Sequence, residues 1–272
     1  MRIDRLTARV RPLSPDQALD LGMAMARAWY VPLVTLWFLS AWAFLLLFFL
    51  VGLFEQRDGM ISENWVFFMW FVLFLTRPYY ELSLLWFLSQ KLFNDAHVPK
   101  KITLKSLGVP YGAWWRFSLR HRLGGRRILA AAVYVLENQR QKRAINARLS
   151  LLARGQANAG LRHWLTFMAV EWLLFFGLFV LMVEFSPFNV GQADVPWQSY
   201  FETGYLPWWL FLLIVGLYVG VVGAMTPFFV ASAFALYVCR RSLLEGWEIE
   251  LLFRQMASRY QDAQITHKAG RS

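Results

Sequence analysis

Apolar runs long enough to cross a lipid bilayer most constrain how this chain can fold. A membrane-spanning helix needs roughly 20 mostly apolar residues, because the hydrocarbon core is about 30 Å thick. Residues 31–54, VPLVTLWFLSAWAFLLLFFLVGLF, reach this length without a charged side chain. Residues 161–183 and 207–239 reach it too, the former with one interior carboxylate, Glu171. Lipid cannot satisfy backbone polar groups, so these runs predict α-helices.

A fourth apolar run is interrupted by polar residues. Residues 64–75 are too short to cross alone, and Arg77, Pro78 and Glu81 follow before the chain becomes apolar again. The whole stretch 64–88 spans the bilayer if one helix continues through the proline. We expect one continuous helix here. The sequence therefore predicts an all-α, polytopic membrane protein with four transmembrane helices.

The composition agrees with a bilayer environment. Of 272 residues, 58% are hydrophobic and 17% charged, whereas soluble domains have about 45–50% and about 25%. The 14 Trp and 24 Phe suit the hydrocarbon and its interface. The first 30 residues are polar and no cleavage site follows the first apolar run, so we expect a retained anchor and no signal peptide.

The basic residues predict the orientation. Residues 94–162 contain 14 Lys and Arg, residues 1–30 contain five Arg, and the tail from Cys239 contains six Lys and Arg. The loops 55–63 and 185–206 contain one Arg between them. Positive residues remain on the cytoplasmic side, so both termini are expected there. An even number of spans agrees with this.

These signals divide the chain into five segments. They are a cytoplasmic interfacial helix (1–30), a first membrane repeat (31–93), a basic cytoplasmic segment (94–160), a second membrane repeat (161–239), and a cytoplasmic amphipathic helix with a disordered tail (240–272).

The basic segment allows two kinds of partner. One is anionic lipid headgroups or other proteins, and the other is nucleic acid. No nucleic-acid-binding module accompanies the charge, so we favour lipid or protein and expect no nucleic acid. The interleaved apolar residues of YGAWWRFSLRHRL and ILAAAVYVL predict helices lying in the membrane interface.

Amphipathic helices are predicted at both ends. Ser14 is a predicted N-cap, Pro15 occupies the first helical position, and Gln17 completes a capping box. The expected apolar stripe of this first helix is Leu19, Met23 and Ala26. In the last helix the pattern places Leu244, Trp247 and Leu251 on one face. It also predicts an ion pair between Glu250 and Arg254.

The two halves of the chain resemble each other at their most unusual point. PYYELS, from Pro78, aligns with PFFVAS, from Pro227, and a threonine precedes each proline within two residues. Lys91 then falls opposite Arg240. Because both halves start on the same side, this predicts two parallel repeats about an axis along the membrane normal.

Both prolines predict helix kinks, since proline removes an N–H and clashes with the carbonyl four residues earlier. Two interpretations are open. Pro78 and Pro227 bend long helices to fit the bilayer, or they mark discontinuous helices that line a substrate site.

The charges inside the spans predict an intramembrane contact. Arg77 lies 13 residues beyond Asn64 and Glu171 eight beyond His163, depths of roughly 20 Å and 12 Å from opposite surfaces. Unpaired charges at such depth are costly, so we expect Arg77 to pair with Glu171, Glu81 or both. The group is either a clamp between the second and third spans, or it is functional, as a proton or ion relay or as a binding site for an anionic headgroup.

Other chemistry is not indicated by the sequence, and no cofactor or metal is expected. The four histidines have no metal-site spacing and are expected in the interface or tail: His97, His121, His163 and His267. Cys239 has no partner cysteine. Gly216 and Gly220 have the GxxxG spacing of close helix packing, with Gly223 nearby.

Two stretches carry a family resemblance: residues 227–259, beginning PFFVASAFALYVCRR, and RPLSPDQALDLGMAMARAWYVPL near the start, with LWFLS at 85–89. They resemble uncharacterised bacterial integral membrane proteins found in gene clusters with MoxR-type AAA ATPases. The repeat is also distantly similar to the membrane domain of some glycerophosphodiester phosphodiesterases, whose catalytic part is missing here. The resemblance implies the bacterial inner membrane and no catalytic residues.

Two functional hypotheses follow. The first is a non-enzymatic inner-membrane subunit of a larger assembly, which docks partners through its basic cytoplasmic face and can be oligomeric. The alternative is a small transporter or lipid-handling protein that uses the kinked helices and the Arg77 and Glu171 charges.

Overall fold

The computed structural model describes residues 13–56, 59–93, 127–137, 141–154, 157–184 and 202–246. Several predictions therefore lie outside the described residues. They are the interfacial helix in YGAWWRFSLRHRL, the Trp247 and Leu251 stripe, the Glu250–Arg254 pair, the disordered tail, and the positions of His97, His121 and His267.

The described chain is helical, which confirms the all-α prediction. The helices are α1 (Pro15–Ala28), α2 (Tyr30–Glu55), α3 (Asn64–Phe93), α4 (Arg127–Leu136), α5 (Lys142–Ala153), α6 (Ala157–Glu184) and α7 (Trp208–Glu245). Two strands of three residues, β1 (Met60–Ser62) and β2 (Tyr205–Pro207), complete the elements.

Three described helices are long and apolar enough to cross a membrane: α2, α6 over Asn158–Met182, and α7. Large apolar side chains are exposed along α2 and α6, including Leu47, Phe54, Leu173 and Val180. A helix that exposes such side chains needs hydrocarbon around it. The chain is therefore a helical membrane protein.

The interrupted run forms one continuous helix, α3, with Pro78 inside it. This confirms that the helix continues through the proline. Because α3 also holds Arg77, Glu81 and Lys91, it is less apolar than the three helices above.

Helix α7 lies at the centre of the bundle and contacts α1, α2, α3, α4 and α6. Small residues allow the close approach of its neighbours. A Cβ added at Gly223 of α7 would lie 2.9 Å from the Trp37 ring of α2, so that glycine makes room for the indole. Trp37 is 1% exposed, which places this contact in the core.

Helix α1 begins as the sequence predicts. The Gln17 backbone N–H donates to the Ser14 hydroxyl at 3.3 Å, and the Ser14 backbone N–H donates to the Gln17 side chain at 3.1 Å. These reciprocal bonds form a capping box that satisfies two otherwise unpaired donors.

The buried face of α1 shares only Ala26 with the predicted apolar stripe, and the contact of that stripe with the membrane interface stays a prediction. The buried residues are Ala18, Gly22 and Ala26, whereas Leu19 and Met23 are half-buried. A Cβ at Gly22 would lie 2.2 Å from the Cα of Ser232, so α1 packs backbone against backbone on α7. Small side chains, not the large apolar ones, form the contact because they permit that approach.

Apolar residues of ILAAAVYVL pack inside the bundle as part of α4, and the expected place of this helix in the membrane interface stays a prediction. Leu129, Ala130, Ala132 and Val133 are at most 1% exposed. Helix α4 packs on α3, α5 and α7 as part of the main apolar core. An apolar segment of nine residues can pack against protein as well as against lipid, and here it packs against the other helices of the bundle.

A short antiparallel ribbon joins the two loops that precede α3 and α7. Ile61 is opposite Leu206, and Ser62 is opposite Tyr205. Ile61 and Leu206 are almost fully buried against Val66 and Leu210, in a second apolar cluster. The ribbon, which the sequence did not predict, fixes where α3 and α7 begin. We call this end of the bundle the ribbon side.

Candidate functional site

The site is built around Arg77, in the middle of α3. Its two terminal nitrogens donate to the two carboxylate oxygens of Glu171 on α6, at 2.8 Å and 2.5 Å. This bidentate geometry matches the planar guanidinium to the planar carboxylate. The pair therefore connects α3 to α6 across the bundle interior.

Glu81, one turn further along α3, completes the group. The Nε of Arg77 donates to its carboxylate at 3.1 Å. The exposed fractions of the side chains are 16% for Arg77, 5% for Glu81 and 7% for Glu171. The structure thus brings together the three charged residues that the sequence analysis named, and it buries them.

An aromatic ring covers the guanidinium. The central carbon of Arg77 lies 6.0 Å from the centroid of the Phe229 ring on α7, a distance at which the ring attracts a cation. Arg77 therefore contacts α6 through Glu171 and α7 through Phe229. The three helices meet at one guanidinium.

A small cavity of about 70 Å³ lies against Arg77 and Glu171. A polar cavity of this size is large enough to hold water. Its other lining residues are mainly aromatic: Phe74, Trp164, Phe167, Met168, Trp172, Tyr218 and Phe229. The site has room for water or a small ion beside the charged pair.

The two prolines lie inside helices that hydroxyl side chains support. Thr76 donates to the carbonyl of Val72 at 2.9 Å, and Thr226 donates to that of Val222 at 2.6 Å. Each hydroxyl satisfies a helical carbonyl close to the proline, as Ser and Thr commonly do. Pro78 and Pro227 are thus accommodated within α3 and α7. The kink remains a prediction.

His163 is buried within the bundle near the start of α6, and its expected place in the membrane interface stays a prediction. It is 7% exposed, and its Nε2 lies 3.0 Å from the Ser232 hydroxyl. Its ring stacks on Phe229, with the centroids 5.3 Å apart and the planes 7° from parallel. Phe229 therefore contacts both Arg77 and His163. No sequence signal indicated this contact, because His163 and Ser232 are 69 residues apart.

A second charged group, which the sequence analysis missed, lies at the bundle end opposite the ribbon. The Nε of Arg148 on α5 donates to both carboxylate oxygens of Glu137, at 3.1 Å and 3.0 Å, and its Nη2 donates to Glu245. Tyr237 donates to Glu137 at 2.9 Å, and Arg241 donates to Glu245 at 2.9 Å. We call these five residues the Arg148 network. It fastens α4 and α5 to the last turns of α7.

Burial alone would lower the pKa of Arg148, but its hydrogen bonds to Glu245 and Glu137 outweigh burial and raise the pKa above its ordinary value. The guanidinium is therefore charged at every pH at which the protein is folded. The network is a permanent connection and not a titrating one.

Gly216 and Gly220 do not pack helices together within the described chain, contrary to the GxxxG interpretation. A Cβ at either would meet nothing within 4 Å, whereas one at Gly223 would meet Trp37. Cys239 is a buried free thiol. Within the described ranges, no three His, Cys, Asp or Glu side chains are grouped to hold a metal ion.

Comparison with protein-family models, with curated proteins and with solved structures finds no match to this chain. The fold and the site therefore define it as a helical membrane protein with a buried Arg–Glu pair.

Proposed function

We propose that the chain is a non-enzymatic subunit of a larger assembly in the bacterial inner membrane, and that it docks its partners through a basic cytoplasmic face. The observation that carries this proposal is the Arg148 network. It holds α4 and α5 against α7, so that a fixed surface extends beyond the membrane spans. On that surface Arg143 and Arg154 are exposed.

The distribution of charge supports the proposed orientation. Glu55, Glu184 and Glu202 are exposed on the ribbon side, while Arg143, Arg154 and Arg162 are exposed at or near the opposite end. Basic residues favour the cytoplasmic side. Both termini are accordingly proposed to lie there, with α3 as the fourth span.

Two features support the proposed parallel repeat. Helices α3 and α7 both begin within two residues of the end of a strand of the ribbon. Ser83 and Ser232, which the alignment pairs, donate to the carbonyls of Tyr79 and Phe228, four residues earlier in each helix. Equivalent residues therefore make equivalent bonds in the two halves.

The partner is proposed to be an acidic surface of another protein, and the family resemblance makes a MoxR-type ATPase system the first candidate. Anionic lipid headgroups are the second kind of partner, worth about 1 kcal/mol for each nearby Lys or Arg. Nucleic acid and cofactors have no part in the proposal.

Copurification from native membranes in mild detergent tests this function. The wild-type chain is expected to retain partners in fixed stoichiometry, and Arg143→Glu with Arg154→Glu is expected to lose them. Asn64→Glu, which adds negative charge on the ribbon side, is the control and should retain them. Equal recovery of partners by both variants would contradict the proposal.

A second candidate function is a small transporter or lipid-handling protein centred on Arg77 and Glu171. The observation that favours it is the cavity of about 70 Å³ that touches both residues. It predicts that the folded Arg77→Lys variant loses uptake of a small ion into proteoliposomes while keeping its partners. The docking function predicts no such uptake by the wild-type protein.

A further inference from the structure

Three leucines are exposed at the end of the bundle opposite the ribbon. Leu151 of α5 is 50% exposed, and Leu243 and Leu244, in the last turns of α7, are 42% exposed each. Apolar side chains that face lipid need no other cover, whereas a group of them that faces water marks a binding surface. The contacts around these leucines decide between the two cases.

Two hydrogen bonds bring the three leucines together. Arg148 of α5 donates to Glu245 of α7, and Arg240 of α7 donates to the carbonyl of Arg154, directly after α5, at 2.8 Å. The two helices therefore run antiparallel and side by side here. Leu151 lies midway between the two contacts on α5, and the two leucines of α7 also lie between them. We call the three leucines the leucine patch.

The leucine patch lies beyond the reach of lipid. Arg162 of α6 forms an ion pair with Asp16, and their side chains are 71% and 75% exposed, so this level of the bundle must face water. The adjacent His163 contacts Ser232, which marks the same level on α7. Leu244 is 12 residues further along α7, about 18 Å at the helical rise, or about 14 Å if the helix tilts by about 40°. The headgroup layer on each side of a bilayer is only about 5–8 Å thick.

The charge around the leucine patch selects the kind of partner. Arg143 and Arg154 are exposed and lie on either side of Leu151, roughly 12 Å and 5 Å from it along the axis of α5. Within the described chain no carboxylate lies in salt-bridge reach of either arginine, whereas the Arg148 network pairs its two arginines with two glutamates. The surface is therefore apolar at its centre and positively charged at its rim. An amphipathic helix with acidic residues beside its apolar stripe is the complement of such a surface.

We propose that the leucine patch is the contact site for the docking function, and that its occupant is an acidic amphipathic helix of a partner protein. This inference rests on the proposed docking function and adds the chemistry of the partner. The partner helix lies across α5 and the end of α7. Its apolar stripe covers the three leucines, and its carboxylates pair with Arg143 and Arg154.

Photocrosslinking from position 151 of the full chain in living cells tests the occupant. Mass spectrometry of the digested adduct is expected to identify one partner peptide, with apolar residues three and four positions apart and with Asp or Glu beside them. The control is position 47 of α2, where Leu47 is 59% exposed on a membrane span and lipid adducts are expected.

Each other outcome at position 151 would overturn the proposal. A lipid adduct would show that the membrane covers the leucine patch. An adduct with a second copy of this chain, or with residues 247–272 of the same chain, would identify a different occupant. A partner peptide without acidic residues, or the absence of any adduct, would contradict the proposed chemistry.

Two leucine substitutions test the energetic contribution of the patch. Leu151→Gln with Leu244→Gln is expected to lower copurification of the partner identified at position 151 about tenfold, equivalent to about 1.4 kcal/mol. Leu21→Gln is the matched control, because Leu21 lies on α1 and is 45% exposed, and it should retain the partner as the wild-type protein does. Equal retention by the two variants would overturn the proposal.

The role of the rim is tested with salt, because ions screen the attraction between exposed charges. Partner retention by the wild-type chain should fall as the salt concentration rises, and retention that does not depend on salt would contradict an acidic partner. The inference and the docking function can fail separately. If Arg143→Glu with Arg154→Glu loses the partner while the leucine variant keeps it, the docking function stands and the leucine patch is wrong. If both variants keep it, the docking function itself is contradicted.

Discussion

Arg77 and Glu171 form a bidentate ion pair between α3 and α6, although 94 residues separate them along the chain. The pair is buried, and Glu81 supplies a third hydrogen bond to the same guanidinium. Removing one partner of a buried pair leaves an uncompensated charge, which costs far more than the intact pair contributes. This asymmetry makes the pair a sensitive test of how the bundle is held together.

Replacing Arg77 with leucine is expected to lower the free energy of unfolding by about 3–5 kcal/mol, because two carboxylates remain buried without their guanidinium. Arg77→Lys should lose less, since it keeps the charge but cannot make the bidentate contact. Unfolding in mixed micelles measures both. The control is Arg162→Leu, whose partner Asp16 is 75% exposed and whose loss should change little. Similar losses for Arg77→Leu and Arg162→Leu would disprove the clamp.

Alanine at Gly22 is expected to displace α1 from α7. The added Cβ would lie 2.2 Å from the Cα of Ser232 and 2.6 Å from the carbonyl oxygen of Ala231, and these backbone atoms cannot move aside as a flexible side chain can. Such overpacking costs about 1–3 kcal/mol. Amide hydrogen exchange in α1 should become faster in Gly22→Ala and remain unchanged in Gly177→Ala. Unchanged exchange in both variants would show that the two helices are not in close contact.

Glu137→Gln is expected to loosen α4 and α5 from the bundle. Its carboxylate accepts hydrogen bonds from Arg148 and Tyr237, and a hydrogen bond to a charged group contributes about 1.5–3 kcal/mol. Hydrogen exchange should therefore become faster in α4 and α5 but not in α2. The control is Arg143→Gln at an exposed position of α5, which should exchange as the wild-type protein does. If Glu137→Gln does the same, the network does not hold these helices.

A disulfide tests both the ribbon and the proposed orientation. Ser62→Cys with Tyr205→Cys, in a Cys239→Ala background, places two cysteines directly opposite each other, within the range of a disulfide. If the ribbon side faces the oxidising periplasm, the bond should form in intact cells without added oxidant. Met60→Cys with Tyr205→Cys is out of register and should form it far less. A disulfide that forms only after oxidant is added to lysed cells would indicate the opposite orientation of the chain in the membrane.

The spans were the most predictable part of the fold, because composition alone distinguishes α2, α6 and α7 from soluble helices. The continuity of α3 through Pro78 followed from the length that a crossing requires. The environment of α4 could not be predicted from the sequence, since the same apolar sequence can pack against lipid or against protein. Only the tertiary arrangement places it beneath α3 and α7.

Long-range polar contacts could be predicted only where an unpaired charge inside an apolar span would be too costly in free energy. Burial inside an apolar run made a partner for Arg77 necessary, and depth made Glu171 a candidate. No comparable constraint acts on Arg148, which could have been solvated. Its contacts with Glu137 and Glu245, 11 and 97 residues away, depend on how α4, α5 and α7 pack. The small-residue face of α1 escaped prediction because Gly22 has no side chain to form a pattern.

Site-specific photocrosslinking in living cells tests the docking function most directly. A photoreactive amino acid at position 143 of α5 should form an adduct with one defined partner protein, because α5 is proposed to form part of the cytoplasmic docking face. The same amino acid at position 64, where α3 begins on the ribbon side, should not form that adduct. A partner adduct at position 64 and none at position 143 would contradict the account.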